Sequence, residues 1–132
     1  MFKKYIVYPI QFLLFLFIYY FFKALPNKHA SNFGGKLFQY LGPLTRIHKI
    51  VLKNISYVLD NNSDIKNSFI AKKSWENLGR TVAELPHLSE ITDVRNGRLI
   101  VKDNGHIEKI IKNDEVAVFI GIHQSNWEII AP

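Results

Sequence analysis

Two residues near the C-terminal end of the chain, His123 and Glu128, have the types and spacing to move a proton between them. A histidine poised by a carboxylate removes a proton from a hydroxyl near neutral pH. The carboxylate accepts a hydrogen bond from one ring nitrogen, fixes the tautomer and stabilises the imidazolium as it forms. The chain has no cysteine and no Gly-x-Ser-x-Gly elbow, so a covalent enzyme nucleophile has no support. The simpler chemistry has His123 activate a substrate hydroxyl, which attacks an acyl donor directly. The bland reading is that His123 ends a strand and Glu128 caps a helix.

Of the five histidines, only His123 has an acid five residues on. Positions five apart on one regular helix point about 140° away from each other, so the pair cannot share a helical face. It converges if His123 sits at the C-terminal end of a strand and Glu128 in the first turn of the next helix, the edge where open α/β sheets bind ligands. The apolar run 116–122, with two valines, two isoleucines and Phe119, reads as that strand, buried on both faces. Ser125 or Asn126 suits the cap of the helix that follows.

Upstream, the elements follow from pattern. Residues 5–22 carry no charge, have Lys3, Lys4 and Lys23 at their flanks and tyrosines at both ends, and so read as an uncleaved membrane anchor. No small-residue cleavage site fits a signal peptide, and the basic flanks leave orientation open. Residues 26–35 read as a polar, glycine-containing linker. Beyond Gly42-Pro43 a helical stripe, Leu44, Ile47, Val51, Ile55 and Val58, faces away from Arg46, Lys49 and Lys53. Either that stripe packs on the domain, or the helix lies along lipid headgroups. Ser63 caps the next helix, whose core stripe Ala71, Trp75, Leu78, Val82 and Leu85 stops at Pro86. Glu76, Arg80 and Glu84 read as a solvated i, i+4 series.

Residues 86–96 give weak signals. Asn96-Gly97 is a turn before a candidate strand at 98–102, and Asn104-Gly105 opens a short helix around Ile107, Ile110 and Ile111. Strand, short helix and the run 116–122 together predict a right-handed βαβ unit. The fold class expected is therefore α/β: an N-terminal transmembrane helix, then helices, then a first βαβ unit. The expected organisation is an anchor over 1–25 and a domain over 26–132. Net charge is +6, from 17 basic against 11 acidic residues. The lysines are scattered and no nucleic-acid motif accompanies them, so an anionic membrane surface is the better partner.

The string Gly121-Ile-His123-Gln-Ser-Asn126-Trp127-Glu128 resembles the catalytic block of the bacterial lipid A biosynthesis lauroyl/myristoyl acyltransferases, a version of the His-x4-acid signature of glycerolipid acyltransferases. The N-terminal anchor, the stretches VLKNISYVL and WENLGRTVAEL, and Asn104-Gly105 before the catalytic strand are similar to the family's N-terminal half. The resemblance implies a glycerolipid-acyltransferase-like fold and transfer of an acyl chain from acyl-carrier protein to a hydroxyl of a Kdo-bearing lipid A precursor. It places the reaction at the cytoplasmic face of the bacterial inner membrane. It makes His123 the base and Glu128 its partner, with Asn126 and Trp127 supporting the motif or substrate, and it needs no cofactor, metal or nucleic acid. Gln124 and Ser125 depart from the family's usual Phe and small residue. Family members continue well beyond the position of Pro132, so the resemblance also implies a truncated domain, inactive as it stands. Two other readings remain: a different glycerolipid-type acyltransferase, or a decayed membrane protein without activity.

Overall fold

A computed structural model of the chain describes residues 3–59, 63–97, 99–100, 102–118, 120 and 126–130. The chain divides into two compact units, Met1–His87 and Leu88–Pro132.

The first unit is helical. A wide, π-type turn over Lys3–Val7 runs into α1 (Tyr8–Ala24), giving one helix from Lys3 to Ala24. Pro9 stands at the start of α1, where its missing N–H interrupts the regular ladder, and the wide turn lies just ahead of it. This 22-residue helix is, among the described residues, the one long and apolar enough to cross a bilayer. At 1.5 Å per residue it is roughly 33 Å long, against a hydrocarbon core of about 30 Å. Its side chains are almost all exposed; Phe22 at its C-terminal end is buried with Ala30 and Ala83, and Leu25 packs beside them.

Pro26 turns the chain into α2 (Asn27–Leu41), which covers the expected linker at 26–35. The glycines that suggested a flexible link instead let two helices touch. α2 packs along α4 (Asp64–Glu84) in the largest contact of the unit. A Cβ on Gly34 would stand 2.5 Å from both Ala83 Cβ and Gly79 O, so only glycine allows the backbones this close. Glycine weakens an isolated helix by roughly 0.5–1 kcal/mol relative to alanine, and here close packing offsets that loss.

α3 (Ile47–Leu59) packs one side on α4. Of its expected core stripe, Val51 and Ile55 are half-buried, whereas Leu44, Ile47 and Val58 are exposed. α4 begins at Ser63, whose hydroxyl accepts the Lys66 amide at 3.5 Å, and ends before a 3-10 turn at Leu85–His87 that contains Pro86. Ala71 and Trp75 are buried as the pattern implied; Leu78 is exposed, its place in the contact taken by Gly79 and Ala83.

In the second unit, α5 (Leu88–Thr92) leads to a 3-10 turn, Val94–Asn96, that Asp93 caps before Gly97. α6 (His106–Asn113) starts where Asp103 accepts the His106 and Ile107 amides, each at 3.1 Å. It occupies the expected short helix. The α/β expectation, by contrast, is overturned: the described residues contain no strand. Residues 99, 100 and 102 are irregular, as are 115–118 and 120, and the rest of both candidate strands lies outside the described residues. Val116 is 99% exposed, Val118 86% and Ile120 92%, so the described apolar residues of the run that looked doubly buried lie open. A strand exists only through a partner that takes its N–H and C=O groups, and an apolar run records a preference for burial without naming that partner. α6 likewise leaves Ile111 exposed, and among the described residues no sheet lies beneath it to form a βαβ layer.

Candidate functional site

Asn126 and Glu128 lie in the second unit, where a 3-10 turn, Trp127–Ile130, packs against α5. The Asn126 carbonyl accepts the Ile129 amide at 3.4 Å and closes the turn. Both Asn126 and Glu128 are half-buried. Glu128 thus occupies the first turn of a helical segment, though one of only four residues. His123, with Gln124 and Ser125, lies outside the described residues. The pairing of His123 with Glu128 therefore rests on their spacing and on the chemistry it allows.

Two other histidines have structural work. His87, buried at the end of the first unit, places Nε2 3.0 Å from the Phe22 carbonyl. A carbonyl only accepts, so that nitrogen carries the proton, and His87 adds a second donor to a carbonyl at the C-terminal end of α1 that already accepts the Leu25 amide at 3.1 Å. His48 on α3 accepts at Nδ1 from the Trp75 indole N–H, 3.1 Å away. Indole only donates, so His48 keeps its proton on the other nitrogen. Among the described residues no cluster of three or more His, Asp or Glu is placed to hold a metal ion.

The polar network between α2 and α4 was missed in the sequence. Glu76 accepts from Lys73 Nζ at 2.9 Å, Arg80 Nη2 at 2.9 Å and Gln39 Nε2 at 3.3 Å. Arg80 Nη1 also donates to Asn32 Oδ1 at 2.7 Å and Ser31 Oγ at 3.3 Å, while Ser31 donates to Glu84 at 2.6 Å. The Lys73 ammonium, then the Arg80 guanidinium, hold the Glu76 carboxyl below the usual carboxylate range. The i, i+4 spacing of Glu76, Arg80 and Glu84 was visible, but it read as a solvated face. Their partners Ser31, Asn32 and Gln39 sat in or beside a segment read as a linker, so nothing local announced the contact. This network clamps two helices together, and each of its charges is matched by a neighbour, so it is suited to holding the unit rather than to moving a proton.

The chain matches the family model of the bacterial lipid A biosynthesis acyltransferases over residues 1–131. Neither a curated protein nor a solved structure gives a match.

Proposed function

The chain belongs to the bacterial lipid A biosynthesis acyltransferase family, and from that premise we propose that it moves a fatty acyl chain from acyl-carrier protein to a hydroxyl of a lipid A precursor. The observation that carries the reading is the extent of the match, residues 1–131, which takes in the whole string from His123 to Glu128. His123 draws the proton from the acceptor hydroxyl while its oxygen attacks the thioester carbonyl. The new C–O bond forms, the C–S bond breaks, and the proton passes through the imidazolium to the departing carrier thiolate. Glu128 accepts a hydrogen bond from the other ring nitrogen and stabilises the cation that His123 becomes. Asn126 and Trp127 support the motif around them.

The apolar helix from Lys3 to Ala24 supports a membrane-bound form. In this reading it spans the inner membrane once and keeps the remainder of the chain on the cytoplasmic side, where acyl-carrier protein is found and where the acceptor lipid presents its hydroxyl.

The experiment supplies a detergent-purified protein in which residues 1–132 are joined to the C-terminal half of a family member, with acyl-carrier-protein thioester and lipid A precursor, and reads product by mass. The expected result is a lipid heavier by one acyl group, lost on His123→Ala. No such product, or a product that survives His123→Ala, contradicts the proposal.

A further inference from the structure

The exposed side of α3 is unusual in what it combines. At 100° per residue, Ile47, Ile50, Tyr57 and Val58 fall within an arc of roughly 100°, with one polar residue, exposed Asn54, among them. All four are exposed, Val58 by 81%, and Leu44 just before the helix is 75% exposed. The other side of α3 is accounted for: His48 is hydrogen-bonded to Trp75 of α4, and Leu52 lines a cleft with Asn67 and Ser68, whose rim also carries Lys53, Ser56 and Asp64. That bond fixes the rotation of the helix, so the apolar arc cannot turn inward. Arg46, Lys49 and Lys53 are exposed too, the two lysines bordering the arc, and residues 44–59 contain no acid. Lys53 Nζ lies 5.7 Å from the centre of the Tyr57 ring, an amphipathic pair of the kind that sits well at an apolar–aqueous boundary.

We propose that this side of α3 docks on the surface of an anionic lipid bilayer, with Ile47, Ile50 and Val58 in the acyl boundary and Lys49 and Lys53 among the headgroups. The charge pattern selects this occupant. An apolar arc alone would suit another protein surface equally well, but an acid-free helix with two lysines, and Arg46 just ahead of it, is matched by a dense, laterally continuous negative surface. Docking would give the first unit a second attachment to the membrane besides α1 and limit how it can tilt. The inference rests on the membrane-bound reading of α1 but concerns a different helix.

Because the chain has no cysteine, single-cysteine variants carry a unique thiol. Ile50→Cys and Val58→Cys, both at exposed positions, are labelled with an environment-sensitive fluorophore. The full chain is then reconstituted in vesicles of phosphatidylcholine with or without phosphatidylglycerol, with exposed Asn77→Cys on α4 as the reference. The expected result is blue-shifted emission at 50 and 58, quenched by lipid-borne spin labels, in anionic vesicles, while position 77 stays aqueous. Adding Lys49→Gln and Lys53→Gln lowers the docked-to-undocked ratio roughly 30-fold, on the order of fivefold per cation. Aqueous emission at 50 and 58 in anionic vesicles overturns the proposal. So does protection that is the same in neutral vesicles, that includes position 77, or that grows with protein-to-lipid ratio, the last pointing to contact between copies of the chain. Alkaline extraction of the same vesicles reads α1 separately, so loss of the anchor and loss of α3 docking are told apart.

Discussion

Replacing Gly79 by alanine tests the packing of the first unit at its tightest point. On an open helix the change stabilises by roughly 0.5–1 kcal/mol, because alanine loses less backbone entropy. At position 79 the new Cβ would collide with the Gly34 carbonyl oxygen and lie 2.6 Å from Phe38 Cβ and 2.9 Å from Gly34 C. Two of those atoms are backbone, so relief requires α2 and α4 to move apart, stretching the Ser31–Arg80, Asn32–Arg80 and Gln39–Glu76 bonds between them. Overpacking of this kind costs about 1–3 kcal/mol, and with backbone atoms on the far side the upper part of that range applies, a net loss of up to about 2.5 kcal/mol after the propensity gain. For a unit of this size that lowers the melting temperature by roughly 4–8 °C per kcal/mol. Gly35→Ala is the control, since its Cβ would meet only Arg80 and Glu76 side-chain atoms, the nearest 2.9 Å away. Thermal unfolding in detergent, followed by circular dichroism, should place Gly79→Ala clearly below the parent and Gly35→Ala level with it or above. A Gly79→Ala protein as stable as the parent would refute the close contact of α2 with α4.

Two further outcomes follow from other parts of the chain. Glu76 has its folded pKa depressed below the ordinary 4.5 by Lys73 and Arg80, so its contribution to stability is full above pH 4.5 and fades as pH falls through the lower folded value. Melting temperatures of the parent between pH 7 and pH 3 should therefore fall more steeply at the acid end than those of Glu76→Gln; parallel curves would contradict the ion pair. Hydrogen exchange read by mass spectrometry should find the amides of 116–118 fast and those of 67–83 slow, because the former have no ladder and the latter lie within α4. Strong protection at 116–118 would restore the strand that the sequence pattern implied.

What could be read in advance followed local physics. Ser63 and Pro86 mark the ends of α4 because capping and proline sterics act within one turn. Trp75 was recognisable as core from its place in a helical stripe. α2 was not, because the use of Gly34 depends on Gly79 and Ala83 and that of Gly35 on Arg80 and Glu76 across the sequence, and a glycine pair with polar neighbours looks like a link until its partner is known. The run 116–122 misled for the opposite reason: its residues would suit a buried strand, but pairing is a non-local event that Val116, Val118 and Ile120 do not achieve. α3 shows a mixed case, with its periodicity correct and three of the five stripe residues turned to the outside. At the site, the spacing of His123 and Glu128 and the string between them were enough to suggest the family, since motif chemistry is carried by residue identity. Their mutual geometry depends on residues 121–125, which lie outside the described set.

The most direct test of the acyltransferase account is a double-mutant cycle on His123 and Glu128, with acyl transfer to lipid A precursor measured in detergent for residues 1–132 joined to the C-terminal half of a family member. His123→Ala should lower the rate by about 10²–10⁴-fold, the usual contribution of a general base. Glu128→Gln should lose much of the same activity while lipid binding is unchanged, and the double variant should cost little beyond the worse single one, because residues that act as one unit are not additive. Strictly additive losses, or a Glu128→Gln protein that turns over like the parent, would contradict the pairing of the two residues.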